Sequence, residues 1–407
     1  MINNGIKIKD NYFNNRLVIQ PMEGADGMLN GAIGELTYRR YCRFAASGAG
    51  LIWFEAVSIC YEGRANPRQL FLTNENKNTY KNLISEMKSI SRKKFGYEPK
   101  IIVQLTHSGR QSIPDDTPKP IVAYRNSFLE QGKEDYDYMV ASDDYLDLLP
   151  NMYEQSAKLA IEVGFDGVDI KCCHGYLLSE LMSAYNRTGK YGGDFSKRAK
   201  LFIDCVDAVK KVLPADYILA SRINASDCYE YPNGYGINKD GEIDLSECKK
   251  LLYILKDKEL DIVNITLGNP YLIPHINRPC INSPENMTIG LERFKRVMIE
   301  LKKATDIKLV ASALTPKNSN CIEYCNELLE EKTCDFVGFG RMAFAYPDFY
   351  VDYLKNGQLD KDKCCIMCAK CTQLMRNGTV SGCPVRDSKV YLPYYRKYVL
   401  NQEVIIC

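Results

Sequence analysis

The stretch GFDGVDIKCCHGYLLSEL, residues 164–181, sets a short apolar run, Val168-Asp169-Ile170, directly before Lys171, two cysteines, His174 and Tyr176. A buried strand that ends on five ionisable or polarisable side chains is what a parallel α/β structure shows where the C-terminal ends of its strands form an active site. His174 is one of only three histidines in 407 residues, which sharpens that reading.

Working outward, short β-branched runs alternate with longer segments whose apolar residues recur at spacings of three and four. Leu17–Gln20, Leu51–Phe54, Ile101–Leu105, Val168–Ile170, Ile218–Arg222, Ile262–Thr266, Leu309–Ala311 and Phe336–Phe339 read as strands. TYRRYCRFAA, YKNLISEMKSI, YEQSAKLAIEV, RAKLFIDCVDAVKKV, LERFKRVMIELKKA and CIEYCNELLEE read as amphipathic helices between them. Eight β-then-α units predict an α/β fold, a (β/α)8 TIM barrel over residues 1–360, with a short Cys-rich extension over 361–407. No G-x-G-x-x-G follows the first strand, which argues against a doubly wound dinucleotide-binding sheet. Residues 114–151, PDDTPKP through YLDLLPN, exceed a simple βα connection and are expected to form a lid over the substrate.

Composition excludes several function classes. Lysines and arginines (53) nearly balance acids (51) and are interspersed with them, so a net charge of +2 predicts neither a nucleic-acid nor a membrane partner. The start, MINNGIKIKDNYFNN, has no signal-peptide apolar core, and no run of eighteen apolar residues occurs, which predicts a cytoplasmic protein. Seventeen cysteines, an odd number in a long chain, read as thiols or metal ligands rather than a disulfide framework.

The strand ends carry the candidate chemistry: PMEGADG (21–27), EAVSICYEGR (55–64), QLTHSGR (104–110), KCCHGY (171–176), SRIN (221–224), TLGNPYLIPHINRP (266–279), ASALTP (311–316) and GFGR (338–341). His107, His174 and His275 all fall on this rim. A lone histidine is as readily structural as catalytic, but three on one face make chance the weaker reading.

PMEGADG, QLTHSGR, the opening stretch with YNRTGKYGG, the arginine of strand five and GFGRMAFAYPD together resemble the flavin-dependent old yellow enzyme family, over about residues 15–350. The resemblance implies FMN on the barrel mouth. Its ring would be held by the backbone after Pro21-Met22, by Ala56, by the Gln104 amide and by Arg222 beside the N1/O2 edge, where a cation stabilises the reduced flavin. Its phosphate would lie against Ser312-Ala313 and Gly340-Arg341. The family's strand-seven loop usually carries glycine where this chain has Ala311 and Ala313. By position Lys171 and His174 fill the places of a pair that binds a substrate carbonyl oxygen, and Tyr176 that of the proton donor. For Lys171 the alternative is an ion pair with Asp169 or Glu180. His275 resembles a loop histidine that assists the tyrosine in the 2,4-dienoyl-CoA reductase branch.

In KCCIMCAKCTQLMRNGTVSGCPVRD (363–387), Cys365-x2-Cys368-x2-Cys371 and a Cys383 followed by proline suit a [4Fe–4S] cluster, zinc being the alternative. The resemblance places an iron–sulfur site here. The branch has three residues between its second and third ligands, against two in this chain, and Cys364 competes with Cys365 as first ligand.

The favoured function is reduction of a C=C bond conjugated to a carbonyl, in an enone, enoate, enoyl or dienoyl thioester or steroid-like ketone. Amine dehydrogenation or demethylation on the same fold is the alternative, disfavoured by Tyr176 and by the absence of a cysteine after Pro21-Met22. The multidomain relatives add nucleotide-binding domains after the cluster. Residues 388–407 have no such fingerprint, so electrons are expected from a separate ferredoxin or flavoprotein, with direct NAD(P)H reduction as the competing route. A homo-oligomer is the expected assembly.

Overall fold

In the computed structural model, which describes residues 1–403, the eight apolar runs close into one barrel. Strands β1 (Leu17–Ile19), β2 (Leu51–Ser58), β3 (Lys100–Thr106), β4 (Gly167–Ile170), β5 (Ile218–Ser226), β6 (Ile262–Leu267), β7 (Lys308–Ala311) and β8 (Phe336–Phe339) neighbour one another in chain order, all parallel. β8 pairs back onto β1 through Val337–Leu17 and Phe339–Ile19. The connecting helices are α1 (Glu35–Ala45), α2 (Lys77–Phe95), α3 (Asp143–Val163), α4 (Lys200–Lys210), α5 (Ser246–Asp257), α6 (Met287–Ala304), α7 (Cys321–Glu330) and α8 (Phe349–Asn356).

Alternation along the strands sorts the core into two shells. Inward residues near the strand starts, among them Val18, Trp53, Ile102, Ala220, Val310 and Phe336, fill the barrel. Ile8 and Phe13, from the N-terminal hairpin (Ile6–Ile8 with Asn11–Phe13), close this end, Phe13 meeting Phe336 edge to face at 5.2 Å. Outward residues such as Leu17, Ile19, Phe54 and Val103 pack under the helices. Filling one end with hydrocarbon leaves the other end, where the strands finish, for polar chemistry.

The opening stretch shows how its glycines serve the fold. Gly164 ends α3 at φ 96°, in the left-handed region that side chains avoid. At Gly167 a Cβ would stand 2.6 Å from the Ile218 carbonyl of the adjoining strand, so β4 could not seat against β5 with any larger residue.

The segment 114–151, expected as a lid, packs on residues that follow β3 and β4 at the strand-end side of the barrel. Ile121–Val122 pairs with Met139–Val140, and residues from Asp143 onward belong to α3, capped by the Ser142 hydroxyl accepting from the Tyr145 N–H at 3.1 Å. Its buried Glu130 binds Arg110 and Arg125, which lower its pKa to about 2 against the cost of burial, and Arg110 in turn grips Glu180. Those ion pairs tie the segment to the residues that follow β3 and β4, and none of its residues lines the mouth cleft.

The extension carries two helices, α9 (Lys370–Arg376) and α10 (Ser388–Tyr398), and its last four residues lie outside the described ones. It is fastened to the barrel: Arg39 and Arg43 both bind Asp387, the Ser381 N–H donates to the Gly24 carbonyl at 2.7 Å, and Cys364, Cys365 and Met367 are buried in the main core. No helix among the described residues is long and apolar enough to cross a membrane.

Candidate active site

A cleft of about 1000 Å³, open to solvent, lies at the strand ends. Its floor is a polar layer above the hydrocarbon plug. Asp169, fully buried on β4, accepts from Trp53 Nε1 at 2.7 Å, Gln104 Nε2 at 2.6 Å and the Arg222 backbone N–H at 2.8 Å. With its NH2 held downward, Gln104 turns its amide oxygen to the cleft. Gln20 is fixed likewise, accepting from Asn264 Nδ2 at 2.7 Å. Gly338 and Gly340 keep the floor low, since a Cβ would strike Gln20 at the first and approach Met22 Sδ to 2.6 Å at the second.

Pro21, Met22, Gln104, Arg222, Ser312, Ala313, Gly340 and Arg341 all line this cleft, as the sequence reading placed them; Ala56 does not. Ala313 adopts φ 60°, the left-handed conformation for which glycine is the usual residue. A methyl group is thus carried in a glycine-type turn at modest strain. The Ser312 hydroxyl donates to the Ile265 carbonyl at 2.8 Å, and Arg341 Nη1 to the Pro279 carbonyl at 2.7 Å, which leaves the rest of that guanidinium facing the cleft.

The cleft is cationic. Arg222, Arg278, Arg341 and Lys171 line it against one acid, Glu23. The Arg222 Nε and the His174 Nε2 are buried without a hydrogen-bond partner. Burial first, then Arg222, Lys171 and Arg278, hold the His174 pKa well below its usual value, so the ring that lines the cleft is a neutral imidazole. A glycine-lined floor, an amide oxygen, an unpartnered guanidinium and a second arginine beside a glycine turn are a donor set for a flat heteroaromatic anion with a phosphate tail.

Tyr176 sits in a network of which only part was legible. Its hydroxyl donates to Glu23 Oε1 at 3.1 Å and lies 3.2 Å from the Tyr271 hydroxyl. Lys171 Nζ donates to the same Glu23 oxygen at 3.1 Å and stands 3.6 Å from the centre of the Tyr176 ring. Lys171 therefore pairs with neither Asp169 nor Glu180, the two partners expected from its neighbourhood. Burial, and next the Glu23 charge, raise the Tyr176 pKa well above the phenol range. Glu23 and Tyr271 were missed by sequence reasoning, although both lie in quoted strand-end segments.

The other two histidines are elsewhere. His107 is buried, its Nε2 2.9 Å from the Tyr145 hydroxyl and its Nδ1 accepting from the Gly109 N–H at 3.0 Å. Burial lowers its pKa to about 4. His275, on the short helix Pro274–Asn277, does not line the cleft; Tyr271 of the same loop reaches Tyr176 instead. Cys172 and Cys173 are buried packing residues.

A second, small cavity lies under the extension and is lined by Cys365, Cys368, Cys371 and Cys383 together with Arg341 and Arg386. The Cys365 and Cys383 sulfurs accept from the N–H groups of Met367 and Arg386, each at 3.4 Å, while Cys364 Sγ donates to the Asp360 carbonyl and does not face the cavity. Among the described residues no three His, Cys, Asp or Glu side chains converge closely enough for a single metal ion. Arg341 and Cys371 border both cavities, and Thr372, Met375 and Ser381 of the extension also wall the mouth cleft.

Comparison with known proteins agrees with this geometry. The model of the NADH:flavin oxidoreductase / NADH oxidase family matches residues 2–360. An NADH oxidase of Thermoanaerobacter brockii is 24% identical over 366 residues, 87% of this chain and 50% of that protein. An NADPH dehydrogenase of Clostridium acetobutylicum is 25% identical, covering 88% of this chain and 96% of its own. Among solved structures, 2-naphthoyl-CoA reductase in complex with 2-naphthoyl-CoA superposes with a TM-score of 0.76 at 17% identity, over 94% of this chain and 56% of that one. The old yellow enzyme homologue from Zymomonas mobilis gives 0.65 at 19%, over 89% and 94%. The chain thus spans about half the length of the first of these relatives and of the first of these structures.

Proposed function

The chain belongs to the NADH:flavin oxidoreductase / NADH oxidase family and is a flavin-dependent oxidoreductase, and from that premise we propose that it reduces a C=C bond conjugated to a carbonyl. The observation that carries this is one cleft lined by two different groups able to donate a proton or a hydrogen bond, a neutral His174 imidazole and the Tyr176 phenol. An α,β-unsaturated carbonyl needs both, a hydrogen bond to its oxygen and a proton for its α-carbon.

FMN fits the cleft through Gln104, Arg222, the Ser312-Ala313 turn and Gly340-Arg341, and when bound it supplies the hydride, from N5, to the β-carbon. The chain's own residues do the rest. A ring N–H of His174 holds the carbonyl oxygen and draws charge toward it. Tyr176 donates the proton. Arg222 sets a buried positive charge beside the ring edge that becomes anionic on reduction. Lys171, engaged with Glu23 and the Tyr176 ring, positions that acid rather than touching the carbonyl oxygen.

The four-cysteine cavity is read as a [4Fe–4S] site, with Cys365 rather than Cys364 as first ligand. Backbone N–H donors to sulfur are a usual feature of such sites, and thiols spread around a cavity suit a four-iron cube better than one zinc ion with four bonds of about 2.3 Å. Sharing Arg341 and Cys371 with the flavin cleft suits an electron relay. The electron source is NAD(P)H at the mouth or a ferredoxin or flavoprotein at the extension, whose eight lysines and arginines face only three acids. Among the described residues, only Lys363 of those eight is ion-paired.

Anaerobic mixing tests the reaction class. Dithionite-reduced protein is mixed with enones, enoates and enoyl thioesters, and oxidised protein with methylamines. Reoxidation of the flavin by an unsaturated carbonyl is expected, whereas bleaching by an amine with no response to any enone would replace this reading by amine oxidation.

A further inference from the structure

Tyr176 is only 2% exposed, so once its proton has gone to substrate, water cannot replace it directly. Its hydroxyl has two neighbours, Glu23 Oε1 and the Tyr271 hydroxyl. A carboxylate bound to Lys171 accepts hydrogen bonds and donates none. The Tyr176 proton therefore points at Glu23, and the Tyr176 oxygen is left to accept from Tyr271. Tyr271 is 37% exposed, on the loop after β6, where its backbone N–H donates to Asn269 Oδ1 at 3.0 Å. One residue thus touches the Tyr176 hydroxyl and also lines the solvent-open cleft.

We propose that Tyr271 is the proton feed of Tyr176, carrying solvent protons across the cleft rim; this rests on the reading of Tyr176 as the acid. As the Tyr176 O–H bond breaks and the substrate Cα–H bond forms, the Tyr271 O–H bond breaks and that of Tyr176 re-forms. Tyr271 then takes a proton from water. One solvent proton reaches the substrate, both tyrosines end as they began, and the electron pair remains that of the hydride transfer. Lys171 has two tasks in this arrangement: it pins Glu23 as an acceptor, and its charge over the Tyr176 ring steadies the transient phenolate. Burial, and next the Glu23 charge, raise both phenols, Tyr271 to about 12 and Tyr176 well above the phenol range, so each keeps its proton at rest. Glu23 is the weaker candidate for the feed because Lys171 already occupies the oxygen that Tyr176 touches.

The test is Tyr271→Phe in the FMN-loaded protein, with Tyr176→Phe alongside. Pre-reduced Tyr271→Phe is expected to complete its first turnover with an enone near the wild-type rate. In steady state, with dithionite in excess so that reduction is not limiting, it should slow at least about tenfold, the low side of what losing a proton-transfer group costs. Imidazole buffer should restore it and leave the wild type unchanged. Wild-type steady-state turnover in Tyr271→Phe, or a loss that imidazole does not restore, would overturn the feed. An unaffected first turnover in Tyr176→Phe would instead remove the reading beneath it.

Discussion

Replacing Tyr176 by phenylalanine separates chemistry from stability, because the structure assigns the two to different atoms. The ring stays, so the Lys171 ammonium keeps its place over it, and the Lys171–Glu23 pair is untouched. Only the hydroxyl goes, with its bonds to Glu23 and Tyr271. A hydrogen bond to a charged group contributes about 1.5–3 kcal/mol when nothing replaces it. Glu23, however, retains Lys171, so the net loss of stability should lie at the low end, about 1.5 kcal/mol. The rate should respond far more. Loss of a positioned general acid costs about 10²–10⁴-fold, or about 2.7–5.4 kcal/mol of barrier. Anaerobic stopped-flow of the reduced flavin with an enone reads the second quantity, and urea unfolding with a flavin count reads the first. A variant with full flavin content that is reoxidised at the wild-type rate would show that the α-carbon is protonated by another group, and the assignment of Tyr176 would fall.

Two other outcomes are expected. Anaerobically prepared protein should hold about four iron atoms and bleach near 400 nm on reduction, as ferredoxin-type ligation does; Cys371→Ser should lose that signal and Cys364→Ser keep it, whereas stoichiometric zinc without iron would overturn the cluster. His107, held near a pKa of about 4 by burial against an unfolded value of about 6.5, makes folding lose about 3 kcal/mol as pH falls through that window, because only the unfolded chain takes up the proton readily. Asp227, pushed up to about 6 by burial, works the other way and favours the folded state as pH falls, so the check is the difference in urea midpoints between wild type and His107→Gln at pH 7 and pH 4.5, which should shrink toward acid.

The barrel was legible because each strand is a short β-branched run with a helical period on either side, a pattern that survives without tertiary information. All eight runs became strands, and two of them run four residues past their reading. β2 continues to Ser58 through a bulge at Glu55, which turns that carboxylate out to Arg40, and β5 continues to Ser226 through polar residues that pair in the barrel wall. Apolarity marks where a strand is buried on both sides, and it fades at the rim where function begins. Where residues 114–151 pack was not legible for a related reason: length signals an insertion, but the buried Arg110–Glu130–Glu180 cluster that decides where it packs joins acids and bases far apart in the chain.

The site was legible to the degree that its residues are local. Lys171, His174 and Tyr176 follow one strand and could be read together, as could the four cysteines of the extension. Glu23 and Tyr271 could not, since they meet Tyr176 from the ends of β1 and β6, 153 and 95 residues away. Alone, a glutamate after Pro21-Met22 reads as a solvated rim acid, and a tyrosine beside three prolines reads as loop packing. The histidine four residues further on drew attention because its side chain titrates near neutrality, but a turn of helix carries it away from the cleft. Closure of the barrel brings three strand ends to one phenol, so the proposed acid in the opening stretch could be named from sequence, while the groups proposed to hold and recharge it required the fold.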